Sequence, residues 1–237
     1  SSGHGIYMID PQTRSAVPEI FLQLNEELPS LFIKSIFRDI QNRLWIASED
    51  GGICVIDLNG CRIVKDIVWK DAKNEDAVVK SFAQKENGDI LIGTSNHGIL
   101  IYDKNENAIR ESRHSSARIC KVECLLKHSS TDNYDGDTFV TGVENGGIML
   151  YDSEKEELAE VTIPGVAFDM SSWKVHCLKE DSQGNIWVGA YQTGLMVIPK
   201  SMYGFEHIQL GDWGHLGTAG ACVTSIAANQ ADGSLWV

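Results

Sequence analysis

The sequence predicts an all-β fold, a β-propeller of four-stranded antiparallel blades with a period of about 47 residues. Three observations carry this expectation. A glycine followed by an aliphatic run that ends in Asp or Pro occurs five times: GHGIYMID at Gly3–Asp10, GGICVID at Gly51–Asp57, NHGILIYD at Asn96–Asp103, NGGIMLYD at Asn145–Asp152 and QTGLMVIP at Gln192–Pro199. The marker glycines Gly5, Gly52, Gly98, Gly147 and Gly194 follow one another at steps of 47, 46, 49 and 47 residues. A second landmark recurs in step with it: RLWIAS at Arg43–Ser48, DILIGT at Asp89–Thr94, DTFVTG at Asp137–Gly142, NIWVGA at Asn185–Ala190 and SLWV at Ser234–Val237. Four short strands per unit of roughly 40–50 residues, separated by Gly, Asn and Asp turns, are the signature of propeller blades.

The elements follow in one order. An inner segment such as Ile33-Lys34-Ser35-Ile36 leads into a polar turn, Asp39–Asn42. The Trp strand, a Gly turn, the aliphatic strand and a looser outer segment such as Arg62–Trp69 complete the unit. Runs such as Ile53-Cys54-Val55-Ile56 are apolar on both faces, which predicts burial on both sides, as between two neighbouring blades. Gly52, Gly98, Gly147 and Gly194 stand where a tight turn calls for positive φ. Gly93, Gly142 and Gly189 end the Trp strand, where a side chain would block a neighbour. Trp45, Trp187 and Trp236 share one slot, which argues for packing between blades rather than chemistry. Asp57, Asp103 and Asp152 recur at the end of the aliphatic strand, a structural role rather than a unique site.

A net charge of −13 argues against nucleic acid as a partner. No apolar run approaches the ~18–20 residues of a membrane span. The chain begins without Met just before one strand and ends inside another, which reads as a piece of a longer protein. Of the six cysteines, Cys124 and Cys177 fall in the slot of Ser35, Ser81 and Ser225, as small buried residues. Cys120, Cys124 and His128 have the spacing of metal ligands, yet strand residues four apart are ~13 Å from one another, too far to share one ion. No metal or cofactor is expected.

With these residues in place a family resemblance is visible. Glu180-Asp181-Ser182-Gln183-Gly184-Asn185-Ile186-Trp187-Val188-Gly189, followed by Thr193-Gly194-Leu195, resembles the D-x-x-G-N-L-W-I-G-T…G-G-L consensus of the two-component regulator propeller repeat. Phe37–Asp57 is similar with Ala47 for Gly, and Ser81–Asp103 with Leu91 for Trp; the third unit, Thr131–Val143, has a longer turn and is read with Phe139 in the Trp slot. The resemblance implies the periplasmic sensor region of a hybrid histidine kinase/response regulator of Bacteroidetes. Such receptors carry two seven-bladed propellers, an immunoglobulin-like domain, a membrane helix and cytoplasmic kinase parts, and many respond to oligosaccharides. It implies a non-catalytic region, fragment of a seven-bladed propeller, whose partners are an oligosaccharide or other small ligand, the remaining propeller and kinase parts, and a second copy in a homodimer. Residues 1–210 are expected to hold the blades, beginning mid-blade. The Gly/Ala-rich Gly211–Ala221 is read as a propeller junction or as a longer outer loop, with 211–237 opening a further, truncated blade.

Candidate contacts come from the loops on one face. Trp173 and His176 lead, because the loop Gly165–Lys174 delivers them to the start of an inner strand. Arg118, Lys80, His97, Tyr191 and Trp213 lie on neighbouring loops; Trp69 and Phe168 add aromatic surface. Sugar rings stack on aromatics and their hydroxyls need polar partners. The residue between the two small positions of each inner strand varies (Lys34, Lys80, Glu123, His176, Thr224) while its surroundings recur, as a channel-facing or solvated slot does. His176 and Cys177 point to opposite faces of a strand and make no nucleophilic pair. A propeller lyase or glycoside hydrolase, and a protein-interaction scaffold, are the competing readings; fold alone does not choose among them.

Overall fold

The computed structural model describes residues 3–15, 18–49, 52–113, 121–127, 137–161, 170–200, 206–208, 225–229 and 235–236. Each repeat folds as a four-stranded antiparallel meander. Blade 1 comprises β1 (Ile33–Arg38), β2 (Arg43–Ser48), β3 (Ile53–Asp57) and β4 (Arg62–Ile67), hydrogen-bonded in chain order. Blade 2 comprises β5 (Val79–Gln84), β6 (Ile90–Thr94), β7 (Ile99–Asp103) and β8 (Ala108–Glu111). Blade 3 follows with β9 (Val122–Lys127), β10 (Thr138–Val143), β11 (Gly147–Asp152) and β12 (Glu157–Glu160). Blade 4 has β13 (Val175–Glu180), β14 (Ile186–Ala190), β15 (Gly194–Ile198) and β16 (Glu206–Ile208). Leu235-Trp236 of the last landmark lie in a further sheet: β18 (Leu235–Trp236) is laddered to β17 (Ala227–Ala228), the pairing that the repeat demands of a Trp strand and its inner strand. The four-stranded blades are arranged radially, as the period predicts.

Apolar seams hold the blades face to face. The middle strands β3, β6 and β7 are buried along almost their whole length, whereas the outer strands β4, β8 and β12 alternate with solvent. Trp45, Ala47, Ile53 and Val55 of blade 1 pack on Val79, Phe82, Ile92 and Tyr102 of blade 2. Leu91, Ile99 and Ile101 of blade 2 meet Val122, Leu125 and Tyr151 of blade 3. Cys124, Val140 and Ile148 of blade 3 meet Val175, Val188 and Met196 of blade 4. At the second and third seams a glycine near the end of the second strand makes room for the next blade. A Cβ on Gly142 would lie 2.4 Å from Cys124 Sγ and 2.6 Å from Val175 Cγ1; on Gly93 it would meet Ser81 Oγ at 2.5 Å and Val122 Cγ1 at 2.9 Å.

Two turns repeat in chemical detail. Asp39 accepts from the Arg43 amide (2.8 Å) and from the Trp45 indole N–H (2.9 Å), and Asp181 does the same for Asn185 and Trp187, at 2.9 Å each. At the other end, Asp57, Asp103 and Asp152 each accept from the amide two residues on, closing the turn into the outer strand. That confirms the strand-end role read from their recurrence.

Four local expectations are corrected. Gly98, Gly147 and Gly194 have φ of 64°, 67° and 95°, but Gly52 does not adopt positive φ. Phe139 is not in the Trp slot. It pairs with Lys127 as Leu44 pairs with Arg38 and Ile90 with Gln84, so Val140 takes the place of Trp45, Leu91 and Trp187. The extra residues of the third unit's turn misalign a count made forward from the turn; counted back from Gly142 the slot is right. The leading copy, Gly3–Asp10, is not a half blade, and Asn25–Leu31 is not simply a loop. A helix, α1 (Pro18–Glu27), takes in Asn25, whose amide side chain clamps Ile6 through two 2.9 Å hydrogen bonds. Leu24 and Leu28, with Ile6, cover Ile46, Cys54 and Ile56, the face of blade 1 that corresponds to the one blade 2 turns toward blade 1.

Two outcomes are expected in chemical denaturation. Gly142→Ala overpacks the seam and lowers stability by about 1–3 kcal/mol. Glu156, on the turn before β12, takes both Arg110 guanidinium nitrogens (2.5 and 3.1 Å) and the Arg113 amide (2.9 Å), tying blade 3 to blade 2. The Arg110 hydrogen bonds hold its carboxyl below the usual value of 4.5. Its contribution is therefore full above that value and lost as pH falls through the depressed one. Glu156→Gln should cost about 1–3 kcal/mol at neutral pH, with the gap to the parent closing in acid.

Candidate binding face

The inner strands carry a bulge at one place in every blade. Pairing shifts between Ile33 and Ser35, Val79 and Ser81, Val122 and Cys124, and Val175 and Cys177. The residue left out of the ladder is Lys34, Lys80, Glu123 or His176. A bulge frees one side chain from the pleat and re-aims it. The variable slot is thus an unpaired position on a constant frame. Next to it lies the residue that follows the second strand: Glu49, Ser95, Glu144 or Tyr191. The amides of these four donate to the carbonyls of Phe32, Val78, Lys121 and Lys174 at 2.8, 2.9, 2.9 and 2.8 Å. Three slots per blade are thereby gathered at one end of the four sheets.

Charges on this rim are matched. Lys34 pairs with Glu49 at 2.9 Å, and Lys80 reaches Glu123 of the next blade at 3.3 Å. Glu144 sits between Lys121 (3.0 Å) and Lys174 of the next blade (3.4 Å). The hydrogen bond from Lys121 holds the Glu144 carboxyl below its usual range, and Lys174 adds to it. In blade 4 Tyr191 is 40% exposed, its ring 5.8 Å from the His176 ring and 6.0 Å from the Lys174 ammonium.

The structure gathers some of the sequence candidates and separates others. His176, Tyr191 and Lys80 stand on the rim. His97 stands on the turn between β6 and β7, edge-on to Trp69 with ring centroids 5.0 Å apart. Trp173 is only 7% exposed and packs with Met170, Val175 and Val188 in the seam of blades 3 and 4. Its amide donates to the Met170 carbonyl (2.9 Å) and its carbonyl accepts from Gly147 (3.3 Å), so the end of the loop folds inward. The indole offered by the sequence as a leading stacking platform is spent on the core. Arg118 and Trp213, like Phe168, lie outside the described residues. Sequence reasoning did not single out Lys121, Glu144 and Lys174, which the rim brings together in ion pairs. Their signal was positional, a fixed offset from the Trp strand and the inner strand, rather than aromatic.

Ammonium and imidazole donors, carboxylate acceptors and one exposed phenol ring make this rim a hydrogen-bonding surface with a stacking edge. Its glutamates are each tied to lysine. In denaturation, Trp173→Ala is expected to cost about 3–5 kcal/mol as a core truncation, whereas His176→Ala should stay within about 0.5 kcal/mol.

Comparison with known proteins agrees with this architecture. The family model described as two component regulator propeller matches residues 27–50 and 171–192. Both segments include an Asp–Trp pair or part of the same repeat around it. No curated protein matches the chain. Among solved structures, the extracellular domain of BT4673 from B. thetaiotaomicron, described as a hybrid two component system, superposes with a TM-score of 0.71 at 17% identity, over 99% of this chain and 29% of that one. The extracellular domain of BT3049 from the same organism, also described as a hybrid two component system, gives 0.61 at 17% identity, over 97% and 28%. The β-propeller domain of Cps50 (Swd1) from Myceliophteria thermophila gives 0.54 at 13% identity, over 84% and 60%. At these identities the likeness is one of fold, and the chain spans under a third of the two bacterial domains' length.

Proposed function

The chain carries two-component regulator propeller repeats, and from that premise we propose that it is a ligand-sensing part of a hybrid two-component receptor. In this reading it lies outside the cytoplasm, in the periplasm, binds an oligosaccharide or glycan breakdown product, and passes occupancy to a histidine kinase carried by the same receptor, which acts as a homodimer. The observation that carries the reading is the repeated bulge: one residue per blade left out of the ladder, lysine in blades 1 and 2, glutamate in blade 3 and histidine in blade 4, on a frame that does not change. A surface that varies on a constant scaffold suits recognition. The paired rim charges and the exposed Tyr191 suit a polyol with apolar ring faces.

The region is read as non-catalytic. Glycoside hydrolysis needs two carboxylates about 5–9.5 Å apart, one able to give a proton. Here Glu49, Glu123 and Glu144 are each ion-paired with lysine, and Asp57, Asp103 and Asp152 cap turns.

The test is calorimetry of the receptor's whole extracytoplasmic region against a panel of oligosaccharides. One panel member should bind, and Tyr191→Ala and His176→Ala should each weaken it roughly 2- to 12-fold, the effect of losing ~0.5–1.5 kcal/mol per aromatic contact. Unchanged affinity in both variants removes the rim as the site. Hydrolysis or elimination of a panel sugar moves the protein to the enzyme reading.

A further inference from the structure

A second cluster lies beside the rim positions Val78 and Ser95 of blade 2, where the loop between β4 and β5 meets the turn between β6 and β7. The loop folds around Asp71, whose Oδ1 accepts from the amides of Lys73 and Glu75 at 2.8 Å each. Asn96 fastens the turn to this loop: its side chain donates to the Asp76 carbonyl (2.8 Å) and accepts from the Val78 amide (2.9 Å). The adjoining His97 is fixed at its amide by Thr94 Oγ1 (2.9 Å) and at its ring by the edge-on Trp69. Together these restraints bring one ligand atom from each of Asp71, Glu75 and His97 within 4.8 Å of one another.

An independent observation concerns the imidazole. His97 Nε2 is shielded from solvent and has no hydrogen-bond partner among the described residues. A buried imidazole nitrogen left in that state is costly, and two carboxylates stand beside the ring. Imidazole with carboxylates is a donor set for zinc-type ions, whereas calcium and magnesium take oxygen alone.

We propose that Asp71, Glu75 and His97 form a binding site for a divalent transition-metal ion of the zinc class. Three protein ligands leave a further position for water. Tetrahedral ligands at ~2.0–2.2 Å from zinc lie about 3.4 Å apart, and the exposed Glu75 side chain closes the remaining gap by rotation. Asp71 binds through Oδ2, since Oδ1 serves the loop. The ion would join the interblade loop to the turn of blade 2 and hold both at one end of the propeller. This site goes beyond the glycan reading and does not rest on it. No spacing motif announces it, because the ligands are 22 and 26 residues from His97 on separate segments.

The test titrates the chelator-treated full chain with Zn2+ by calorimetry and with Co2+ by visible absorption. One equivalent should bind, with Co2+ giving the weak ligand-field bands of nitrogen and oxygen donors. His97→Gln and Glu75→Gln should each weaken binding at least tenfold. Asp71→Asn, which keeps the Oδ1 acceptor and so the loop, should do the same. Glu75→Gln alters an exposed side chain, so its result stands even if His97→Gln disturbs packing. Absence of stoichiometric binding up to millimolar metal, binding indifferent to Glu75→Gln, or the intense near-ultraviolet band of cobalt–thiolate coordination would each overturn the proposal.

Discussion

The spacing between neighbouring blades depends on one contact, a small residue at the end of each second strand facing the valine that opens the next inner strand. Gly93 receives Val122 and Gly142 receives Val175, with less room than one methyl group would need; Ala47 and Val79 share the first seam. On the near side the same glycines rest against Ser81 and Cys124, which explains why that slot is held by Ser or Cys. The chain must therefore place a valine in the seam and, two residues later, a small residue beneath a glycine. The ladder meets both demands by skipping the residue between them. The bulge that carries Lys80, Glu123 and His176 to the rim is thus a consequence of how the blades pack. The rim position and the packing are coupled at this point: the side chain is free to vary because its two neighbours are not.

The turn between the first and second strands shows the opposite behaviour, with two positions that change together. In blades 1 and 4, where the second strand carries Trp, the turn begins with Asp, and the carboxylate takes the indole N–H along with a backbone amide. In blade 2 the indole is replaced by Leu91, which has no N–H to satisfy, and the turn begins with Lys85 instead. Its backbone keeps the same turn hydrogen bonds, to Asp89 and from Gly88, at 2.9 and 3.0 Å. The ammonium is redirected to the Ser153 carbonyl (3.0 Å) and Glu154 (3.6 Å) of blade 3. A buried carboxylate without its donor would be stranded, so losing the Trp removes the reason for the Asp. The two segments recognised by the family model lie in blade 1 and blade 4, the described blades that keep both residues.

Much of this was legible in the sequence because the constraints repeat. The period, the four strands per unit, the turn aspartates and the small seam residues are read by comparing one unit with the next. What repetition does not encode was missed. The helix Pro18–Glu27 has no counterpart among the described residues of the other units, and Leu24 within it and Leu28 just after it cover blade 1 in place of a repeated partner. Phe139 was misplaced because its unit has a longer turn, and register had to be counted from the glycine rather than from the turn. The candidate site was half legible. The variable slot stood out through its own irregularity, but aromatic character was a poor guide to exposure: Trp173 caps a seam while the smaller Tyr191 stays at the surface. Loop tryptophans offer the largest apolar surface available to a seam, so burial competes for them more strongly than for a tyrosine with its hydroxyl in water.

The pattern of charge on the rim bears on the chemistry it is suited to meet. In a chain of net charge −13 the rim gathers Lys34, Lys80, Lys121 and Lys174, yet a glutamate stands against each. An anionic ligand would have to compete with those glutamates for the same ammonium groups and would leave carboxylates unpaired. A neutral ligand rich in hydroxyls has no such conflict, because a hydroxyl donates to the carboxylate and accepts from the ammonium without separating them. Pairing also holds the long side chains in place before a ligand arrives, which lowers the ordering cost of association. A neutral, hydroxyl-rich ligand would therefore suit the rim better than an anionic one, and the pairs it would meet also join blade 2 to blade 3 and blade 3 to blade 4: Lys80–Glu123 and Glu144–Lys174 each cross a seam. A ligand that engages these pairs would act on the seams themselves, giving occupancy of the rim a direct mechanical route into the relative placement of the blades.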